Sequence, residues 1–287
     1  MPGRSAAGIP GRMTTAFVFG GGGILGATEV GMLRAVIEAG YRPDLVLGTS
    51  VGAINGAMVA ADPTEGCVER LTQTWQSMSR SDLFAGGLTR LRVAATSRTH
   101  LHSMDPLRAL IERQLGPIRI EDLAIPFQCC AASIERAAET WFDSGPLATA
   151  VTASCAVPGL FAPVQAGDEH FFDGGLVNSL PVGKAVQLGA TTVFVLHVGR
   201  VEQPLTPPTR PWEVAAVAFE IARRHRFAAD MAAIPKGVTV HLLPAGEIHS
   251  PSANLRYRDP QRVLGRIDLA YRATQGYLGA LSHPGSP

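Results

Sequence analysis

The sequence predicts an α/β fold with a parallel-rich central sheet and helices on both of its faces. Two consecutive strand–helix units carry this prediction. An apolar run over 14–19 leads through glycines into a helical pattern over 24–39, and a second apolar run over 45–47 leads into another helical stretch. A third apolar run, over 191–198, has the composition of a buried strand, and we expect it to be the last strand of the core sheet. Strands that alternate with helices usually lie parallel, with the helices packed on the sheet faces.

Composition places the chain among globular proteins. It has 287 residues, of which 46% are hydrophobic and 17% charged, and its formal net charge is +1. This balance gives no reason to expect a nucleic-acid partner. Four scattered cysteines form neither a disulfide framework nor a zinc spacing. We therefore expect a reduced, cytoplasmic setting, no bound metal and no other cofactor.

The start of the chain lacks the pattern of a signal peptide, and its uncharged stretches lack the pattern of a transmembrane helix. Residues 1–13 contain arginines among glycines and prolines and lack the apolar core of a signal peptide, so we expect a disordered leader. The uncharged stretch 45–61 contains polar residues and glycines, and the stretch 147–167 is interrupted by two prolines. We expect no transmembrane helix and, at most, peripheral membrane contact.

The second strand is followed by a Gly-x-Ser-x-Gly pattern formed by Gly48, Ser50 and Gly52. This pattern is typical of a nucleophile elbow, in which a serine on a tight strand-to-helix turn projects its hydroxyl from the end of a sheet. Glycines on either side remove the Cβ atoms that would collide in the turn, and the following helix directs N–H groups toward a developing oxyanion. The pattern is short, and a glycine-rich turn packed in the core is the alternative.

The glycine run after the first strand contains Gly21-x-Gly23-x-x-Gly26. Its place between a strand and a helix suits a dinucleotide-binding loop, but the acidic residue expected near the end of the second strand is missing. Asp44 lies at the beginning of that strand instead. We therefore favour a different use of the same loop, in which its backbone N–H groups stabilise the negative charge of an oxyanion.

A carboxylate followed at once by two glycines, Asp173-Gly174-Gly175, ends an aromatic run over 169–172. On local grounds an Asp-Gly turn in a hairpin is the favoured interpretation. The alternative is a functional carboxylate at the end of a strand.

Taken together, Gly21-Gly22-Gly23-x-x-Gly26, Gly48-Thr49-Ser50-Val51-Gly52 and Asp173-Gly174-Gly175 resemble, in order and content, the patatin-like phospholipase family. The segment 153–164, with its Ala-Ser-x-Ala-x-Pro-Gly pattern, also resembles the stretch that precedes the aspartate in that family. The resemblance covers roughly 15–198. It implies a three-layer patatin-like catalytic domain over 14–199, and we expect 200–287 to be a mainly helical extension packed on the same domain.

The resemblance also implies a chemistry. Ser50 would attack an acyl ester carbonyl, Asp173 would act as its general base, and the N–H groups of Gly22, Gly23 and Ile24 would bind the oxyanion. The substrate would be a phospholipid, a lysophospholipid or a neutral acyl ester. Because aspartate is a weak base for a hydroxyl, its pKa must be raised by a dry site, for which the neighbouring phenylalanines are candidates. A catalytically silent lipid-binding member of the same fold is the alternative.

A histidine-containing triad is the competing arrangement, with His170 or His197 as the base. His170 is three residues from Asp173, and an odd separation on a regular strand places two side chains on opposite faces. We therefore expect His170 to point away from the site. His197 ends the strand over 191–198 and could reach a cleft.

Two further positions bear on the substrate. The family usually has Arg or Lys between the glycine run and Gly26, whereas this chain has Leu25, which favours a neutral ester or lysolipid over an anionic phospholipid. In the C-terminal extension, a helical pattern over 212–234 contains the basic cluster 223–226. We interpret this cluster as a solvent-facing helix surface, with contact to acidic lipid as the alternative.

Overall fold

A computed structural model describes residues 14–80, 101–198, 204–246 and 260–282; the expected leader, 1–13, lies outside the described residues. The described strands form one mixed sheet whose pairings connect β5-β6-β3-β2-β1-β7-β8 in that order; β2 and β6 pair end to end along one edge of β3, and β4 pairs along the other edge. The pairings that join β3, β2, β1, β7 and β8 are parallel, whereas β4, β5 and β6 pair antiparallel. The strands are β1 Thr15–Phe19, β2 Leu45–Thr49, β3 Phe127–Ser133, β4 Ala138–Phe142, β5 Val164–Ala166, β6 Glu169–Asp173, β7 Thr192–Leu196 and β8 Thr239–Leu242.

Helices cover both faces of this sheet. The α-helices of the described residues are α1 Ala27–Glu38, α2 Val51–Ala61, α3 Glu65–Arg80, α4 Asp105–Leu115, α5 Leu147–Ser154, α6 Val182–Gln187, α7 Pro211–Ala232 and α8 Pro260–Ser282. Short 3-10 helices span Gly23–Leu25, Ile120–Asp122 and Gly174–Leu176.

Alternating side chains of β1 show how the layers are built. Phe17 and Phe19 pack in a core with residues of α1, α2 and α3, whereas Ala16 and Val18 pack on the other face with residues of α6 and α7. Because successive side chains of a strand point to opposite faces, one buried strand contributes to two separate cores. The predicted fold class, a parallel-rich sheet between two helical layers, is confirmed.

The C-terminal part of the chain takes part in this architecture. β8 pairs in parallel with β7, so the prediction that the strand over 191–198 is the last of the core sheet was wrong. Helix α8 packs closely on α1, where a Cβ on Gly31 would lie 2.1 Å from the carbonyl oxygen of Ile267. Such backbone contact requires glycine at position 31.

Candidate active site

Ser50 occupies the turn between β2 and α2 in a strained backbone conformation. Its φ is 57° and its ψ −127°, a left-handed conformation that residues with a Cβ rarely adopt. A Cβ on Gly48 would lie 2.5 Å from the carbonyl oxygen of Gly52, and one on Gly52 would lie 2.3 Å from that of Phe19. Both glycines are therefore required by close backbone approach, and the turn has the geometry of a nucleophile elbow.

The hydroxyl of Ser50 donates a hydrogen bond to Asp173. The distance from Ser50 Oγ to Asp173 Oδ2 is 2.6 Å, and the N–H of Gly175 donates to the other carboxylate oxygen at 2.7 Å. Both side chains are buried, Ser50 being 7% exposed and Asp173 1%. The local expectation of a hairpin turn at Asp173 was wrong, because β6 leads into the 3-10 helix Gly174–Leu176 rather than into a returning strand.

Two strands bring this pair together along one edge of β3. A strand residue can pair with only one strand on each edge. β2 and β4 both pair with Cys129 and Cys130, so β2 and β4 lie on opposite edges of β3. β4 and β6 both pair with residues 131–133, so β4 and β6 also lie on opposite edges. β2 and β6 therefore share an edge. β2 runs parallel to β3 and ends opposite Cys130, and β6 runs antiparallel and ends opposite Ala131. The carboxyl ends of the two strands face each other, which places Ser50 against Asp173.

Ser154, the last residue of α5, bridges the gap between these strand ends. Its Oγ accepts a hydrogen bond from the N–H of Ser50 at 2.8 Å and donates one to the carbonyl oxygen of Cys130 at 2.6 Å. The N–H of Asp173 donates to the carbonyl of Ala156, two residues after Ser154, at 2.9 Å. The segment 153–164 was noted in the sequence without a role for Ser154, and it supports the backbone of both Ser50 and Asp173.

Burial changes the proton affinity of Asp173. It raises the pKa of this carboxyl from 3.8 to about 6, and the hydrogen bonds from Ser50 and Gly175 oppose the rise because they favour the charged form. Of the two phenylalanines expected to dry the site, Phe171 lies on the same buried face of β6 as Asp173, and Phe172 lies on the other face. A carboxylate with this pKa is ionised at neutral pH and is a stronger base than an exposed aspartate.

The glycine loop lies directly beside the serine. A Cβ on Gly21 would come within 3.5 Å of the Cβ of Ser50. The N–H groups of Gly20 and Gly21 donate to the carbonyls of Leu196 and Ser179, whereas Gly22, Gly23 and Ile24 stand at the start of a 3-10 helix. The first N–H groups of a helix have no acceptor within it, so these three N–H groups suit an oxyanion.

Asn55 fixes this loop relative to the elbow helix. Its Nδ2 donates to the carbonyl of Gly26 at 3.0 Å and to Glu29 Oε2 at 2.7 Å, and its Oδ1 accepts from Trp75 Nε1 at 3.0 Å. Burial raises the pKa of Glu29, while the bond from Asn55 lowers it. Sequence reasoning assigned no role to Asn55, although a lone amide in the apolar helix α2 was a usable signal.

Neither histidine supports a triad. His170 is exposed, and its Nδ1 lies 2.8 Å from Glu135 Oε1, so the prediction that it points away from the site is confirmed. His197 is buried, and its pKa is lowered to about 4 by burial and by the charge of Arg223. The hydrogen bonds described for Ser50 and Asp173 include no histidine.

The interpretation of the basic cluster 223–226 as a solvent-facing surface was wrong for Arg223. Its side chain is buried, and its Nη1 donates to the carbonyl oxygen of Gly21 at 3.0 Å. The reason is tertiary: α7 turns this face toward the glycine loop. Arg224 and Arg226 lie nearer the surface and pair with Glu220 and Asp230.

The described part of the chain holds neither a metal-ligand cluster nor a membrane-spanning helix. Across 14–80, 101–198, 204–246 and 260–282, no cluster of three or more His, Cys, Asp or Glu side chains is arranged to hold a metal ion. Over the same ranges no helix combines the length and the apolar character needed to cross a membrane.

Among known proteins, the chain is similar to lysophospholipases and to a patatin-like phospholipase domain-containing protein. A lysophospholipase, nte1, from Aspergillus terreus is 32% identical over 189 residues, which is 64% of this chain and 12% of that protein. A patatin-like phospholipase domain-containing protein of Caenorhabditis elegans is 34% identical over 188 residues, 65% of this chain and 14% of its own length. The match therefore spans about an eighth of these relatives.

Among solved structures, VipD from Legionella pneumophila is similar with a TM-score of 0.46 and 12% identity, over 95% of this chain and 67% of that one. A family model described as patatin-like phospholipase matches residues 17–186, which include Ser50, Asp173 and the glycine loop. The matched segment is more than half of the 287 residues of this chain, and the chain therefore belongs to the patatin-like phospholipase family.

Proposed function

We propose that this chain is a serine acyl hydrolase that cleaves carboxylic esters of lipids through a Ser50–Asp173 dyad and an acyl-enzyme intermediate. The observation that carries the proposal is the 2.6 Å hydrogen bond from Ser50 Oγ to a buried carboxylate of raised pKa, made from a strained turn. A nucleophile held against its base is the arrangement that covalent acyl transfer requires.

The chemistry follows from the positions of the groups. Ser50 Oγ attacks the ester carbonyl as its proton passes to Asp173 Oδ2, and the resulting oxyanion binds the N–H groups of Gly22, Gly23 and Ile24. Collapse of the tetrahedral intermediate breaks the ester bond, and Asp173 returns the proton to the leaving alcohol. Water then attacks the acyl-enzyme with Asp173 again acting as base, which releases the fatty acid and restores Ser50.

Exposed apolar groups favour a lipid substrate. Leu176, three residues after Asp173, is 38% exposed. Helix α7 packs on the 3-10 helix Gly174–Leu176 through Phe219 and exposes Val214 and Ile221 on its opposite, outer side. Exposed aliphatic side chains of this kind suit an acyl chain or the surface of a lipid aggregate, so we propose peripheral contact with lipid. Leu25 is buried and supplies no charge, and the fungal relatives bear the name lysophospholipase. We therefore favour lysophospholipids or neutral acyl esters as substrates.

The test is hydrolysis of p-nitrophenyl esters of increasing chain length and of lysophosphatidylcholine. We expect wild type to turn over, and Ser50→Ala and Asp173→Asn to lose about 10³-fold or more in kcat, a loss typical of removing a nucleophile or its base. The exposed residues Ser144 and Asp143 provide matched controls, Ser144→Ala and Asp143→Asn, which should match wild type. An inert wild type would instead favour a lipid-binding protein that has kept the fold.

A further inference from the structure

Arg223 of α7 is a buried cation that reaches the glycine loop from outside the segment matched by the family model. It is 4% exposed, its Nη1 donates to the carbonyl oxygen of Gly21 at 3.0 Å, and its Nη2 pairs with Glu220 Oε1 at 2.8 Å. Its Nε has no hydrogen-bond partner among the described residues. Burying a guanidinium with an unsatisfied donor costs stability, so its presence calls for a functional reason.

The carbonyl that Arg223 binds belongs to the same peptide unit as the N–H of Gly22. A trans peptide is planar, and its C=O and N–H groups point in opposite directions. Fixing the direction of the Gly21 carbonyl therefore fixes the direction of the Gly22 N–H. A cation on that oxygen also polarises the peptide and makes the N–H a stronger donor.

The other side of Gly21 is fixed as well. Its N–H donates to the carbonyl of Ser179 at 2.9 Å, and a Cβ at Gly21 would lie 2.9 Å from Ser179 Oγ. The N–H of Gly21 is therefore held by the segment that follows the 3-10 helix Gly174–Leu176, and its carbonyl oxygen is held by α7. Rotation of the following peptide unit is restricted from both ends.

We propose that Arg223 is a positioning residue for the oxyanion hole, which orients and polarises the peptide between Gly21 and Gly22. It provides from the C-terminal extension a positive charge beside the glycine loop, where this chain has Leu25 in place of the usual basic residue. The inference rests on the proposed hydrolase function and adds a residue beyond the matched segment 17–186.

The charges around Arg223 are compatible with this role. Glu220 forms the ion pair, and among the described residues Glu29 and His197 also interact electrostatically with the guanidinium. Burial raises the pKa of Glu29 and lowers that of His197 to about 4, so burial disfavours a charge on either group, whereas the Glu220 carboxylate forms an ion pair with Arg223. Glu220 also pairs with Arg224 at 3.0 Å, so it keeps a partner when Arg223 is replaced.

The test compares an oxoester, p-nitrophenyl butyrate, with the corresponding thionoester for wild type, Arg223→Gln, Arg223→Lys and Arg224→Gln. Sulfur accepts hydrogen bonds more weakly than oxygen, so an intact oxyanion hole favours the oxoester. The ratio of the two kcat/KM values is independent of how much enzyme is folded, and a merely structural role would not change it. Arg224→Gln removes the same charge from the same helix without touching the glycine loop.

We expect Arg223→Gln to lower the oxoester-to-thionoester ratio by about tenfold, through kcat rather than KM, because a misaligned donor loses most of the effect of one oxyanion contact. Arg223→Lys should recover part of the ratio, and Arg224→Gln should match wild type. Equal ratios for wild type and both Arg223 variants would overturn the inference while leaving the hydrolase intact. A wild type without esterase activity would overturn the proposed function, and with it this inference.

Discussion

Ser50 and Asp173 lie at the ends of two strands that run toward each other along the same edge of β3, and their side chains are joined by a 2.6 Å hydrogen bond. Because the two strands approach from opposite directions, one neighbouring strand sets the position of both residues. The arrangement brings together a hydroxyl and a carboxylate that are 123 residues apart in the chain. No histidine is among the hydrogen-bond partners described for this pair, so the proposed dyad requires none.

The pH dependence of catalysis should follow Asp173. The general base must be ionised, and its pKa of about 6 means that kcat/KM rises with pH and levels off above that value. The measurement is a pH profile from about pH 4 to about pH 9 on a neutral ester. His170→Gln, which alters only an exposed histidine, should leave the profile unchanged, and a midpoint shifted by that substitution would contradict the dyad.

Asp173 should also reduce the stability of the fold at neutral pH. Its pKa is raised in the folded state, so its contribution to stability is fully present below pH 3.8 and is lost as the pH rises through about 6. A shift of about two pKa units corresponds to about 3 kcal/mol. Asp173→Asn should therefore raise the free energy of unfolding at about pH 8 by up to about this amount while abolishing turnover.

Denaturant unfolding of Asp173→Asn at several pH values checks this prediction. An asparagine can accept from Gly175 with its oxygen and donate to Ser50 Oγ with its nitrogen, so the local hydrogen bonds have replacements. The stability gain should disappear by about pH 3, where the wild-type carboxyl is mostly protonated in both states. A variant that is less stable than wild type at neutral or higher pH would contradict the assigned cost of the buried charge.

Ser154 should matter both for stability and for rate. In Ser154→Ala the buried N–H of Ser50 and carbonyl of Cys130 lose their shared partner, which should cost about 1–3 kcal/mol and lower kcat as the strained turn loosens. Thr152→Val is a suitable control, because that hydroxyl bonds only to carbonyls of its own helix among the contacts described. If both variants behave alike, the bridge has no special role.

The elbow glycines should be intolerant of a methyl group. Gly52→Ala places a Cβ 2.3 Å from the backbone oxygen of Phe19, so we expect loss of soluble folded protein or of about 3 kcal/mol or more of stability. Gly276, in α8, has open space around its Cβ position, and Gly276→Ala should stabilise the helix by about 0.5–1 kcal/mol. Thermal denaturation of both variants measures the contrast.

Local sequence signals were sufficient for the elements that carry the site. Apolar runs and glycines predicted β1, β2 and the elbow, because buried parallel strands and tight turns require characteristic residue types at neighbouring positions. The alternation rule also placed His170 on the face of β6 away from Asp173, as the structure confirms. By contrast, the Asp-Gly pair at the end of β6 suggested a hairpin, since two residues alone do not reveal the path that the chain takes after them.

The contacts that stabilise the site join residues far apart in the sequence, so no local sequence pattern predicts them. Ser154 bonds to Ser50 across 104 positions, and Arg223 bonds to Gly21 across 202. The arginine stands in a basic cluster of ordinary composition, so its burial depends on how α7 docks. β8 was also placed by tertiary pairing, because a long helix separates it in the chain from its parallel partner β7.

The most direct test of the central claim, a serine nucleophile activated by an aspartate, is mass spectrometry after treatment with a fluorophosphonate. This reagent phosphonylates activated serines and leaves ordinary ones unmodified. We expect one adduct on wild type, located on Ser50, no adduct on Ser50→Ala and a strongly slowed reaction for Asp173→Asn. An adduct that forms equally fast on Ser50→Ala, or a wild type that does not react, would contradict the claim.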